Sequence, residues 1–308
     1  MGVRGVYNPI GESIPFYGVA RYFGYSPVAR RMTNGTTLVV PSSLVREAED
    51  KREATRKIGY VARAAVIYRV ERIVVFPDRE GERRWGGEFV RTVLAYAATP
   101  PYLRKEVWDQ RDELRYAGVL PPLRVSPRTG SASERPESRE GIVTEVGPDD
   151  RVRVNCGLQH PISLHVPSSM TVVEGERVTV RVSSREPVRA RLVDEPTAGY
   201  VVEAADIQET LARQNAGVRI GTSRHGDDLT VSRLAELGSQ CRDDGATIVF
   251  GSPGRGIPEI LGVSPDDLPV EPDSPGFDLW LNTVPNQGSE VVRTEEAVFA
   301  TLAPLALE

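Results

Sequence analysis

Between residues 141 and 193 of this chain, apolar residues recur at every second position. On either side they recur at helical spacing. That switch of period limits the fold to an architecture that holds two kinds of sheet. Val178, Val180 and Val182 alternate with Arg177, Thr179 and Arg181, as in a half-buried strand. Five short stretches follow this rule, at 141–146, 151–156, 162–166, 177–182 and 188–193, with Gly and Asp between them. Five strands in so short a span imply a small barrel of OB or SH3 type.

Before the switch, residues 36–41 read as a buried strand, 46–68 as a long helix, 71–76 as a second strand and 86–96 as a second helix. Strand–helix alternation predicts a parallel sheet with crossover helices. Residues 102–116 read as helical between Pro100-Pro101 and Pro121-Pro122. Residues 126–138, rich in Ser, Pro, Arg and Glu, have the composition of a linker. After Pro196 the α/β rhythm returns. Strands are expected at 200–203, 218–221, 246–251 and 278–283, with helices at 207–214, 231–242 and 294–302. Glu295 and Glu296 fall in the first turn of the last helix, where carboxylates suit the dipole.

A barrel inserted into one α/β chain is more economical than three separate domains. The expected organisation is therefore an α/β domain from residues 33–123 and 197–308, a linker at 124–138 and an inserted barrel at 139–196. Residues 1–32 stand apart, because the first 31 carry six aromatics among Pro and Gly with no period. The recognisable pattern begins after Met32, so residues 1–31 are expected to be a loose extension or a misread start.

Composition removes several function classes. The 308 residues carry a net charge of −5, which argues against a wholly basic nucleic-acid coat but leaves room for a local basic face. Of 38 basic residues only Lys51, Lys57 and Lys105 are lysines. Genome composition explains such a bias; so would phosphate or base recognition, for which arginine is well suited. Cys156 and Cys241 form no CxxC pair, and the only histidines are His160, His165 and His225, so no metal cluster is expected. Both cysteines are expected to be buried small residues, and His225 to be solvent-exposed. No apolar run reaches the length of a membrane span, and no apolar signal core opens the chain. A cytoplasmic protein fits these features.

Three polar, glycine-bearing segments follow predicted strands in the C-terminal half. They are GTSRHG at 221–226, FGSPGRGI at 250–257 and LNTVPNQG at 281–288. Ligands of open α/β sheets bind outside the carboxyl ends of strands, and glycine lets a backbone approach a ligand closely. No GxxxxGK[ST] occurs, which weighs against a nucleoside-triphosphatase.

FGSPGRGI followed by NTVPNQGSEVVRTEEA resembles the C-terminal half of SPOUT-class RNA methyltransferases. The branch is the one common in archaea, with an OB-like barrel inserted into the α/β domain. LVVPSSL, IGYVARAAVIYRVERIVVF, TPPYLRK and AGVLPPLR extend the resemblance over residues 36–305. It implies a trefoil-knotted parallel sheet, a homodimer paired through the knot, an RNA substrate and S-adenosylmethionine held by the knot loops. Carried over by position, the cofactor-binding residues are Thr222 and Ser223; Phe250, Gly251, Ser252, Gly254 and Ile257; and Leu281, Asn282, Thr283, Val284, Gln287 and Gly288. Leu281, Val284 and Ile257 are expected to sandwich the adenine. Arg63, in VARAA, is similar to the first-motif arginine of related enzymes; it either acts on the substrate or is a solvated helix arginine. Glu290 and Arg293 carry the same two readings, catalytic or helix-capping, and Arg255 is a candidate contact to RNA phosphate. The barrel either binds RNA or acts as a spacer. The expected activity is methylation of a base, with uridine N3 the guess, in ribosomal or another large RNA. Alternatives are a non-catalytic RNA-binding or assembly protein on the same fold, and a nucleotide-binding enzyme of another type.

Overall fold

The computed structural model describes residues 35–123, 125, 137–195, 198–264 and 276–307. The expectations for residues 1–32 and for most of the linker lie outside the described residues. In chain order the strands are β1 (Thr36–Pro41), β2 (Arg72–Phe76), β3 (Glu137–Val146), β4 (Arg151–Asn155), β5 (Ile162–His165), β6 (Arg177–Arg185), β7 (Val188–Val193), β8 (Val201–Ala204), β9 (Val218–Asp228), β10 (Ala246–Val249) and β11 (Leu279–Asn282). The helices are α1 (Lys51–Ile67), α2 (Gly87–Ala98), α3 (Arg104–Val107), α4 (Ile207–Leu211), α5 (Val231–Asp244), α6 (Ile257–Leu261) and α7 (Thr294–Leu305).

Two sheets result. One has six strands in the order β11-β9-β10-β1-β2-β8, every pair parallel. The other is antiparallel, in the order β5-β4-β3-β6-β7. Its end strands β5 and β7 approach one another, so the sheet curls into a nearly closed barrel-like form. In sequence it lies wholly between β2 and β8.

The parallel sheet is covered on both faces, as crossover topology requires. On β1, Leu38 and Val40 face α1, α2 and α7, while Val39 faces the other way towards Ile207 and Leu211 of α4 and Ile257 of α6. The antiparallel sheet has its own interior, built on Val143, Val152, Val154, Leu164, Val178, Val180 and Leu192. The alternation of Val178 and Val180 with polar neighbours is therefore the signature of a surface buried on one side.

Some elements differ from the sequence expectation. The first long helix starts at Lys51, not at residue 46, because Asp50 caps it by accepting from the Glu53 amide at 2.8 Å. The turns before it bury Leu44 and Val45. Residues 102–116 do not form one helix. They give the single-turn α3 and a 3-10 turn at Asp112–Leu114, and a second 3-10 turn follows at Ala117–Val119. Only Leu103 and Val107 of this stretch are buried, too short a stripe to support a long helix. The start of β3 takes Glu137 and Ser138 from the predicted linker.

The strand predicted at 218–221 runs on to Asp228. Gly221 pairs with Trp280 and Asp227 with Leu281, so the intervening residues of β9 bulge out against two consecutive residues of β11. Arg219 anchors this edge. Its backbone amide reaches Asp278 Oδ2 at 2.8 Å, and its guanidinium holds both carboxylate oxygens. The hydrogen bonds from Arg219 hold the Asp278 carboxyl below its ordinary range. The pair's contribution is thus present at neutral pH and is lost as the pH falls through that depressed value.

Gly221 is glycine for packing. A Cβ there would lie 2.5 Å from the Trp280 ring and 3.1 Å from Phe277. Gly221→Ala is expected to cost about 1–3 kcal/mol of stability, the usual penalty for overpacking. Urea unfolding of the two proteins measures it.

Candidate active site

A parallel sheet brings all its strand carboxyl ends to one edge. The segments after β1, β2, β10 and β11, and the bulge of β9, therefore share that edge. Three of them are the segments marked in the sequence, and hydrogen bonds tie them together. Thr222 Oγ1 in the bulge donates to Val249 O at 2.9 Å. Asn282 Nδ2 donates to Asp228 Oδ1 at 3.2 Å and approaches Arg224 O at 3.5 Å. Thr294 Oγ1 donates to Gly251 O at 2.8 Å. The first and third segments are thus bonded directly, and the second is fastened through its flanks, at the end of β10 and at the start of α7.

Inside the third segment, Val284 N donates to Asn282 Oδ1 at 3.1 Å and Thr283 shares a hydroxyl contact with Thr301 at 2.8 Å. Gln287 Nε2 donates to Ser289 O at 2.9 Å, and Asn286 turns the chain with φ of 60°. Positions that leave room for a ligand are Gly254 and Gly288, both exposed, where an added Cβ would meet nothing within 4 Å. Thr222, Ser223, Thr283 and Val284 are half-buried on the same edge. Gly251 is different. A Cβ there would lie 3.0 Å from Arg255 O, so its smallness lets the second segment fold back on itself.

The expected apolar sandwich does not form as written. Leu281 and Ile257 are 1% and 0% exposed and belong to the cores on opposite faces of the sheet. Only Val284 of the three reaches the surface. Phe250 and Ser252 are likewise buried, and their amides are bonded to Val39 O and Arg255 O, so they set the path of the segment.

Arg255 is also placed differently from a phosphate-seeking arginine. Nε meets Asp78 Oδ1 at 3.1 Å, Nη2 meets Glu80 at 3.1 Å and Nη1 meets Glu259 at 2.9 Å. Three carboxylates already engage every nitrogen of the guanidinium. Asp78 is itself buried and accepts from Ser43 Oγ at 2.5 Å and from the Gly81 amide at 3.2 Å. Its own amide donates to Ser42 Oγ at 2.8 Å. This network joins the segments after β1, β2 and β10. Sequence reading missed Asp78; the Pro77-Asp78 stop after a strand was its only local mark.

Of the proposed catalytic residues, Glu290 is exposed beside Gln287, whose side chain approaches its carbonyl. Arg293 precedes α7; its amide donates to Glu296 at 2.9 Å and its Nε pairs with Glu47 at 3.0 Å. Arg63 is not brought to this edge. α1 begins there, and Arg63 lies twelve residues further on, about 18 Å along the axis. It donates to Pro122 O at 3.3 Å. His225 is exposed, Cys156 is buried and Cys241 half-buried, with burial pushing the Cys241 thiol up to about 11. Among the described residues no His, Cys, Asp and Glu cluster could hold a metal. No helix among them is long and apolar enough to cross a membrane.

Removing the Asp78 carboxylate leaves Arg255 largely buried with only its two more exposed partners. Asp78→Ala is expected to destabilise the chain by about 3 kcal/mol, and thermal unfolding monitored by circular dichroism measures the loss.

The sequence pattern of the family described as "Putative RNA methyltransferase" matches residues 36–305. An uncharacterized protein of Halobacterium salinarum is 63% identical over 278 residues, which span 88% of this chain and 98% of that protein. One from Haloarcula marismortui is also 63% identical over 278 residues, with 88% and 99% covered. The human protein named 28S rRNA (uridine-N(3))-methyltransferase is 32% identical over 307 residues, with 87% of this chain and 77% of the human one covered.

Proposed function

The chain belongs to the RNA methyltransferase family whose pattern runs through residues 36–305, and from that membership we propose that it uses S-adenosylmethionine to methylate uridine N3 in large-subunit ribosomal RNA. The observation that carries this reading is the convergence of the bulge in β9, the segment after β10 and the segment after β11 on one sheet edge, with Thr222, Asn282 and Thr294 fastening their flanks. The target follows the name of the human relative.

The residues present fit the cofactor. Open glycines at 254 and 288 allow close backbone approach, and half-buried hydroxyls at Thr222, Ser223 and Thr283 offer hydrogen bonds. Main-chain groups of Gly251, Asn282 and Gln287 complete the set, with Val284 as the apolar contact, while the buried Phe250, Ser252, Ile257 and Leu281 shape the backbone beneath them. When bound, S-adenosylmethionine supplies a methyl group already activated on sulfonium. The protein's task is then positioning, because a fixed reacting pair replaces a bimolecular encounter. It must also let the acceptor lose its N3 proton. Glu290, exposed at the rim of the third segment, is the group we assign to receive that proton. Arg293, half exposed beside it, holds RNA phosphate near the site. A role for Arg63 requires a second subunit, since its own chain carries it away from this edge.

We read the parallel sheet as a trefoil-knotted SPOUT domain, from residues 33–123 and 197–308, dimerising through the knot. The antiparallel sheet at 139–196 is then an inserted OB-like barrel. Its strand order supports this, for the first strand lies between the second and the fourth and the third approaches the fifth.

Incubation of the purified protein with methyl-deuterated S-adenosylmethionine and ribosomal RNA, then mass analysis of nucleosides, tests the assignment. Labelled 3-methyluridine is expected. Label on another nucleoside refutes the target, and no label together with no cofactor binding in calorimetry refutes the reaction.

A further inference from the structure

Tyr96 and residues from Arg104 to Ala117, outside the methyl-transfer edge, line a groove of about 580 Å3. Its volume lies inside the ~300–1,000 Å3 of ordinary ligand sites, so it can take a nucleotide or two but not a duplex. Its walls are flat and cationic. The Arg104 guanidinium lies 4.5 Å from the centre of the Tyr96 ring. Trp108 meets Tyr96 edge-on at 5.8 Å, and Arg111 sits 5.9 Å over Trp108. Thr99 fixes the ladder, accepting from Arg104 Nε at its carbonyl (3.1 Å) and from Trp108 Nε1 at its hydroxyl (3.0 Å).

We propose that this groove binds a single-stranded stretch of the RNA substrate; the assignment rests on RNA being what the enzyme methylates. Unstacked bases lie on aromatic rings and guanidinium planes, and phosphates follow the cations beside them. The groove is already ordered, so little side-chain freedom is lost when RNA enters. Four cations line it, Arg104, Lys105, Arg111 and Arg115, against the carboxylates of Asp109 and Asp112. Asp112 is taken by Lys51, which leaves the groove a positive excess.

Position supports the same partner. At one end α3 and the residues before it touch the antiparallel sheet, through Tyr102 Oη to Glu140 O at 3.0 Å and Asn155 Nδ2 to Glu106 at 3.4 Å. At the other end Asp112 contacts Lys51, the first residue of α1, at the sheet edge that carries the methyl-transfer segments. RNA lying in the groove thus runs between the antiparallel sheet and the reacting edge.

The test uses the full chain and a labelled oligouridylate of about 12 nucleotides, within the usual ~4–16 nucleotide site size. Lys105→Glu with Arg115→Glu, two exposed positions, is expected to weaken binding about tenfold. It should also lower the slope of log affinity against log salt by about 1.4, or ~0.7 for each phosphate that is no longer neutralised. Affinity for S-adenosylmethionine should not change. Should charge reversal lower the melting temperature, Lys105→Gln with Arg115→Gln carries the same slope test. An unchanged affinity and slope, or equal binding of a duplex RNA of the same length, overturns the groove assignment. Methyl transfer by a variant with unchanged slope refutes the groove and leaves the reaction standing. RNA binding through the groove without methyl transfer refutes the reaction and leaves the groove standing.

Discussion

A buried carboxylate organises the edge of the parallel sheet where its strands end. Asp78 stands at the end of β2, yet it receives Arg255 from the segment after β10 and Ser43 from the segment after β1. Because β1 lies between β10 and β2, the segment after β10 carries Arg255 past the end of β1 to reach it. A charge pair this deep is costly unless every oxygen finds a donor; here Ser43, Gly81 and Arg255 supply them. The segment after β10 is thereby held against the sheet. Thr294 then hangs the start of α7 on it, and Thr222 ties the bulge of β9 to the last residue of β10.

That arrangement separates rigidity from contact. Phe250, Ser252, Ile257 and Leu281 are buried and set the path of the backbone. Gly254, Gly288 and the hydroxyls of Thr222 and Thr283 remain towards solvent. A site that works by positioning needs such a division, because its groups must be ordered before the reactants arrive. The same economy holds in the groove beside α3, where Thr99 orders both Arg104 and Trp108.

Much of this was legible in the sequence because it depends on local pattern. The period of two marks β3 to β7, and strand–helix alternation marks the parallel sheet. What was not legible depends on contacts between distant residues. Gly221 reads as a loop glycine suited to a ligand, but its space is taken by Trp280, which only the parallel pairing of β9 with β11 brings near. Arg255 reads as a phosphate contact, whereas its partner Asp78 lies 177 residues away. Leu281 and Ile257 read as an adenine sandwich, yet they lie on opposite faces of the sheet, a fact set by register. In residues 102–116 the helix-forming residues are present, but burial stops at Leu103 and Val107, and side-chain bonds to Thr99 fold the stretch back instead.

The central claim is that the three tied segments act as one binding edge. Hydrogen–deuterium exchange with and without S-adenosylmethionine tests it most directly. The account predicts slowed exchange in 222–226, 250–256 and 283–293 together, with β4 and β5 unchanged. Protection confined to one segment, or found only in the antiparallel sheet, would contradict it.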